Sequence, residues 1–221
     1  MSETLLAPTF LFRFAAPLAY RDPLWPAKGT ALDDDCRLLP LGELDGRRMF
    51  ADVRAAWNEA GLAFAVRVEG KRQATWCREA RLEDSDGLAV WIDTRDTQTV
   101  HRATRFCHRF MFLPSGGGRQ LAEPVADQLL VDRARENARP IRPGILQVRS
   151  EKRVDGYVME ALIPGEALTG WGPADHPRLG FAYAVFDREL GVQSYTIGTE
   201  FPFESDPSLW STLELARDAK K

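Results

Sequence analysis

A chain of 221 residues, 44% of them hydrophobic and 28% charged, can bury a substantial core, and its length suits one folded domain over residues 1–221. Its 29 Lys and Arg against 32 Asp and Glu leave a formal net charge of −3, which argues against a nucleic-acid module, since such modules carry a basic excess on one face. No segment reaches the roughly 18 apolar residues of a spanning helix, so no membrane partner is expected.

The opening "MSETLLAPTF" lacks a basic stretch ahead of an apolar run, which makes the cytoplasm the expected location. The N-terminal extension, residues 1–50, carries one strand candidate, "TFLFRF", and the acidic run "LDDDC". From "ADVRAAWNE" onward the dominant pattern has a period of two, the signature of half-buried strands. In "GLAFAVRVEG", Leu62, Phe64, Val66 and Val68 share one face, with Ala63, Ala65, Arg67 and Glu69 on the other. "DGLAVWID" repeats the pattern, Leu88, Val90 and Ile92 inward and Ala89, Trp91 and Asp93 outward. After a basic segment, "SGGGR" reads as a surface hairpin, because it lacks the G-K-[ST] ending of a phosphate-cradling loop. "PVADQLLVDRARENARP" is compatible with a short helix or an extended loop. Strands follow in "GILQVRS", "GYVMEALIP", "LGFAYAVFDREL", "QSYTIG" and "SLWSTLEL", and "PGEAL" suits a single helical turn. This order predicts an all-β fold, an antiparallel β-sandwich or jelly roll of about ten strands with short helical turns in its loops.

The basic segment "HRATRFCHRFMFL" resembles a reactive site because two histidines and a cysteine lie close together in it. Read as one strand, it places Arg102, Thr104, Phe106, His108, Phe110 and Phe112 on one face, and His101, Ala103, Arg105, Cys107, Arg109 and Met111 on the other. The phenylalanines mark the core side, so His108 is expected to be a buried, hydrogen-bonded structural residue. Cys107 and His108 then point apart and cannot form a thiolate–imidazolium pair. His101 and Cys107 share a face but lie about 20 Å apart at roughly 3.3 Å per residue. Cys36, Cys77 and Cys107, odd in number and scattered, fit reduced thiols.

What remains of the segment is a surface stripe, Trp91 and Asp93 on one strand beside Arg105 and Arg109 on the next, with Arg95 in the connection. An aromatic face with planar, charged hydrogen-bonding neighbours suits a polyhydroxylated ligand. The same pattern also fits a solvated sheet face in which Asp93, Arg95 and Asp96 form cross-strand ion pairs, each contributing under about 1 kcal/mol.

The blocks "VRAAWNEAGLAFAVRVEGK", "DSDGLAVWID", "GYVMEALIPGEAL", "LGFAYAVFDRE" and "DPSLWSTLEL", spread over residues 51–215, resemble the family 9 carbohydrate-binding domains and their DOMON-like relatives. The resemblance implies a β-sandwich of about ten strands that holds sugars without cleaving them. It further implies two aromatic rings clamping the sugar, one from the loop before the "DSDGLAVWID" strand and one from the loop ahead of Asp206-Pro207-Ser208. Carried over, the first ring is Trp76, and the second falls among Phe201 and Phe203, with Glu204 nearest the position where a Trp is expected. Trp210, within the closing block, is expected in the core. Family members often bind calcium through loop carboxylates, but neither "LDDDC" nor Asp93 with Asp96 has the spacing of a calcium motif, so no metal is expected.

Four functions compete. The leading one is a non-catalytic carbohydrate-binding domain using Trp76, Trp91, Asp93, Arg95, Arg105, Arg109 and Phe203, with a sugar as partner and no cofactor. An exposed Trp91 and Met111 would serve equally in a protein-interaction scaffold or homo-oligomer. A DOMON-like haem site would draw axial ligands from Met111, His108 or His101. An enzyme, for instance one of carbohydrate catabolism, would use Glu160 or Asp187, each of which interrupts an apolar strand, although such carboxylates more often bond backbone or an arginine.

Overall fold

The computed structural model describes residues 10, 12–30, 32–39 and 41–217. In it the described residues form eleven strands: β1 (Ala15–Tyr20), β2 (Ala51–Asn58), β3 (Gly61–Val68), β4 (Gly87–Asp93), β5 (Cys107–Gly117), β6 (Glu123–Leu129), β7 (Gln147–Arg153), β8 (Gly156–Pro164), β9 (Arg178–Asp187), β10 (Gly191–Ser194) and β11 (Ser211–Leu215). The helical elements among the described residues are short 3-10 turns, one of them at Gly165–Ala167 where "PGEAL" suggests it. None is long and apolar enough to cross a membrane.

The strands follow the order β6-β5-β4-β9-β11-β1-β2-β3-β8-β7, with β10 paired to β9. Two sheets result, and β1 joins them. Its residues Ala15 to Leu18 run parallel to β11, and Ala19 and Tyr20 run parallel to Ala56 and Trp57 of β2. Each half of β1 therefore pairs on one side only, an edge position of the kind that tolerates Pro17. The other ladders are antiparallel, so the fold is a nearly closed, barrel-like sandwich in which β6 and β7, at the two ends of the path, approach one another. At the β2–β3 hairpin Gly61 has φ +147°, and a Cβ there would lie 2.2 Å from the Ile163 carbonyl oxygen, so only glycine lets β8 pack this close.

Between the sheets lies the core that alternation predicts. Leu62, Phe64, Val66 and Val68 meet Leu88, Val90, Ile92, Phe110, Phe112 and Phe181, and the rings of Phe64 and Phe181 stack with centroids 6.0 Å apart. Full burial of each such side chain contributes about 1.5–3 kcal/mol. A second core covers the outer face of the other sheet, where Ala89, Trp91, Cys107, Met111, Ala182 and Ala184 pack against Ala103, Ile197, Phe203 and Trp210 from loops.

Three sequence expectations are corrected. "HRATRFCHRFMFL" is not one strand: β5 begins at Cys107, whose N–H bonds Thr104 O at 2.9 Å, and residues 101–106 form a loop. The ambiguous "PVADQLLVDRARENARP" begins as strand β6, neither helix nor loop, because it pairs with β5 from Arg109 to Gly117. "TFLFRF" supplies no strand at Phe12 or Phe14, and the first strand is the following "AAPLAY"; Thr9 and Leu11 lie outside the described residues.

Candidate ligand site

The strand pairing expected for the stripe is present for Trp91 and Arg109, but Arg105 lies in the loop ahead of β5 and not on the strand. Trp91 faces Arg109 across the β4–β5 ladder, and Asp93 faces Cys107. The expected exposure is not. Trp91 is 0% exposed, lying edge-on to Phe203, which is itself 1% exposed. Arg109 is buried, with its Cζ 5.3 Å from the Trp91 ring centroid and its nitrogens reaching outward to Glu83 at 2.7 Å and Glu204 at 3.5 Å. Burial raises the Glu204 carboxyl above the usual range, against the pull of Arg109. Asp93 is spent on a turn: its oxygens accept the N–H groups of Arg95 at 2.9 Å and Thr97 at 2.7 Å, and burial raises its pKa. Arg95 and Arg105 flank the Phe106 ring at 4.4 and 5.1 Å, away from Trp91, and Arg95 also donates to the carbonyls of Thr94 and Gly170. The solvent-facing stripe is thus corrected to a buried layer, because the loops between β10 and β11 and ahead of β5 fold over it. The scaffold alternative loses the exposed Trp91 and Met111 on which it rested.

The compact basic segment also comes apart as alternation requires. Cys107 belongs to the outer core, where burial pushes its thiol up to about 11. His108 faces inward and stacks on Phe110, ring centroids 5.9 Å apart and 5° from parallel. Its ring nitrogens are buried, and burial lowers its pKa to about 4, opposed only in part by a hydrogen bond with the Thr169 backbone. Met111 lies in the outer core, whereas His101 is exposed, 3.1 Å from Asp206 and 3.0 Å from Ser208. The three haem-ligand candidates therefore occupy separate places.

The enzyme candidates are held as ion pairs. Glu160 receives the Arg149 Nε, and its other oxygen accepts both the N–H and the hydroxyl of Thr30 at 2.8 Å each. Asp187 pairs with Lys71, which also reaches Asp86 at 3.3 Å, and all three side chains are at most 4% exposed. Lys71 carries no signal in the sequence pattern, yet this triad positions the loop ahead of β4. Asp86 Oδ2 accepts the Trp76 N–H at 2.9 Å, Asp86 Oδ1 accepts the Arg188 N–H at 2.9 Å, and the Asp86 N–H donates to Trp76 O at 2.9 Å.

Trp76, its main chain pinned in this way, is half-buried. Three guanidiniums surround it: Arg188 with its Cζ 3.6 Å from the ring centroid, Arg78 at 5.4 Å and Arg81 at 5.8 Å. Arg81 is paired with Asp84 at 2.7 Å, whereas the Arg78 and Arg188 side chains have no carboxylate partner among the described residues. The second ring implied by the resemblance is absent from this surface, since Phe203 packs on Trp91 and Phe201 stacks on Phe10 at 4.5 Å. Trp210 is in the core as expected, its Nε1 donating to Phe203 O at 2.7 Å. No group of three or more His, Cys, Asp or Glu side chains among the described residues is placed to hold a metal.

No protein-family model and no curated protein sequence matches the chain. Its fold is similar to that of a family 9 carbohydrate-binding module from Caldicellulosiruptor kristjanssonii solved with cellotriose, at a TM-score of 0.62 and 13% identity, over 94% of this chain and 96% of that one. The glucose complex of a module described in the same terms matches at the same TM-score and identity, over 94% and 98%. A Bacteroides uniformis protein provisionally assigned to carbohydrate binding matches at 0.59 and 13%, over 92% and 98%. At this identity the likeness concerns the fold.

Proposed function

We propose that this chain is a non-catalytic carbohydrate-binding domain in which Trp76 is the aromatic platform and Arg78 and Arg188 are its polar partners. The observation that carries the reading is a half-buried indole whose main chain is anchored on Asp86, in the loop ahead of β4, on a fold like that of modules solved with glucose and cellotriose. An indole face stacks on the C–H face of a pyranose, and guanidinium donors bond its hydroxyls. Arg188 now covers the ring. It is exposed and holds no carboxylate, so a sugar displaces it for one cation–π contact, about 0.5–1 kcal/mol at an exposed site. A single platform of this kind supports weak binding, in the range of a millimolar dissociation constant, about −4 kcal/mol.

Isothermal titration or a glycan array, run on the wild type and on Trp76→Ala, tests this. Saturable binding of a sugar that disappears in the variant, with the melting temperature unchanged, supports the assignment. Binding of no sugar, or binding that Trp76→Ala leaves intact, overturns it.

A further inference from the structure

The two ends of the strand path leave a groove of about 580 Å³ between β6 and β7, within the size range of small-ligand sites. Trp25, Glu79, Glu123, Gln147 and Arg149 supply its aromatic and polar lining. Arg149 is fixed by three contacts: its guanidinium stacks 4.1 Å from the Trp25 ring centroid, its Nε meets Glu160, and its Nη1 donates to Pro26 O at 2.9 Å. Its Nη2 is buried and has no partner. Glu79, Glu123 and Gln147 have no hydrogen bond or ion pair to any described side chain. Glu123 lies against the β5–β6 turn because Gly118 leaves room for it: at φ +68°, a Cβ there would sit 2.5 Å from the carboxylate oxygen.

We propose that this groove is a ligand site, distinct from the Trp76 platform, that takes a short neutral oligosaccharide. The donor and acceptor pattern selects the class. Arg149 is already neutralised by Glu160, so Glu79 and Glu123 make the lining acidic and disfavour an anion. A small cation would meet the carboxylates but would leave Gln147 and the accessible part of the Arg149 guanidinium, whose side chain is 31% exposed, without partners. A polyol supplies hydroxyl donors to the carboxylates and hydroxyl oxygens to that guanidinium, while Gln147 accepts or donates. The groove's volume of about 580 Å³ is more than one sugar ring fills. The ligand class rests on the carbohydrate reading above, but the residues are separate from those at Trp76.

The test is titration of the isotope-labelled chain with glucose, cellotriose and putrescine, followed by backbone amide shifts in the wild type, in Trp76→Ala and in the double variant Glu123→Ala, Gln147→Ala. Both residues of the double variant are exposed, so the fold is retained, which its melting temperature verifies. The expected result is that cellotriose moves amides at residues 117–118, 123 and 147 in the wild type and in Trp76→Ala, and that affinity at these amides falls at least tenfold in the double variant. Shifts confined to the surroundings of Trp76 overturn the groove site and leave the carbohydrate reading standing. Groove shifts that persist in the double variant, or that only putrescine produces, overturn it as well. If no sugar moves any amide, both readings fall.

Discussion

The rings of Trp91 and Phe203 meet edge to face, with centroids 5.4 Å apart and planes at 80°. A loop side chain from beyond β10 thereby closes over the centre of β4, and a strand face that alternates like a wet surface becomes a second core. Phe203→Ala is expected to cost about 3–5 kcal/mol, the range for truncating a buried aromatic. Urea denaturation measures it. Trp76-dependent sugar binding should survive in the folded fraction, since Phe203 packs and Trp76 does not; a Phe203→Ala variant of unchanged stability would refute the covered face.

His108 makes stability depend on pH. Unfolded, it titrates near 6.5; folded, burial holds it neutral to about 4. A depressed folded value means that its neutral form favours the native state above pH 6.5, and that stability drains as the pH falls from 6.5 towards 4, because only the unfolded chain takes up the proton. The loss is about 3 kcal/mol over that window, at 1.36 kcal/mol per pKa unit. Denaturation of His108→Phe at pH 7 and pH 4.5 should show that part of the slope removed, and equal slopes in wild type and variant would contradict the assignment.

Lys71 neutralises two buried carboxylates at once. Lys71→Ala strands both, with an expected cost of about 3–5 kcal/mol, the range for breaking a buried ion pair by removing one partner. Asp86 also anchors Trp76. Fluorescence quenching at Trp76, separated by comparison with Trp76→Phe, should therefore rise in the folded Lys71→Ala protein.

The three cysteines are free, each 2% exposed, and burial pushes every thiol up, Cys36 and Cys107 to about 11. Native protein at pH 7 should resist an aromatic disulfide reagent and release its three thiols only in denaturant. Rapid labelling of the folded chain would show that these sites open far more readily than their packing implies.

Much of the architecture is legible in the residues. The inward set of β3 and β4, from Leu62 to Ile92, follows from alternation alone, as does the separation of Cys107 from His108. The candidate site is legible only in part. Trp76 was reachable through resemblance to a family pattern, but its arginine ring was not, since Arg188 approaches from the β9–β10 turn. Trp91, Asp93 and Arg109 share the face expected of them and are nonetheless buried. Trp25 and Arg149 meet from distant segments, and nothing local to either predicts the contact.

Local sequence determined which side chains lie together on each strand, because an extended backbone turns successive residues to opposite sides whatever surrounds it. Tertiary structure alone decided which of those sides meet water. That depends on where distant loops close, as with Phe203 over Trp91 and Asp86 and Asp187 around Lys71, and such closure is set by the packing of the whole chain.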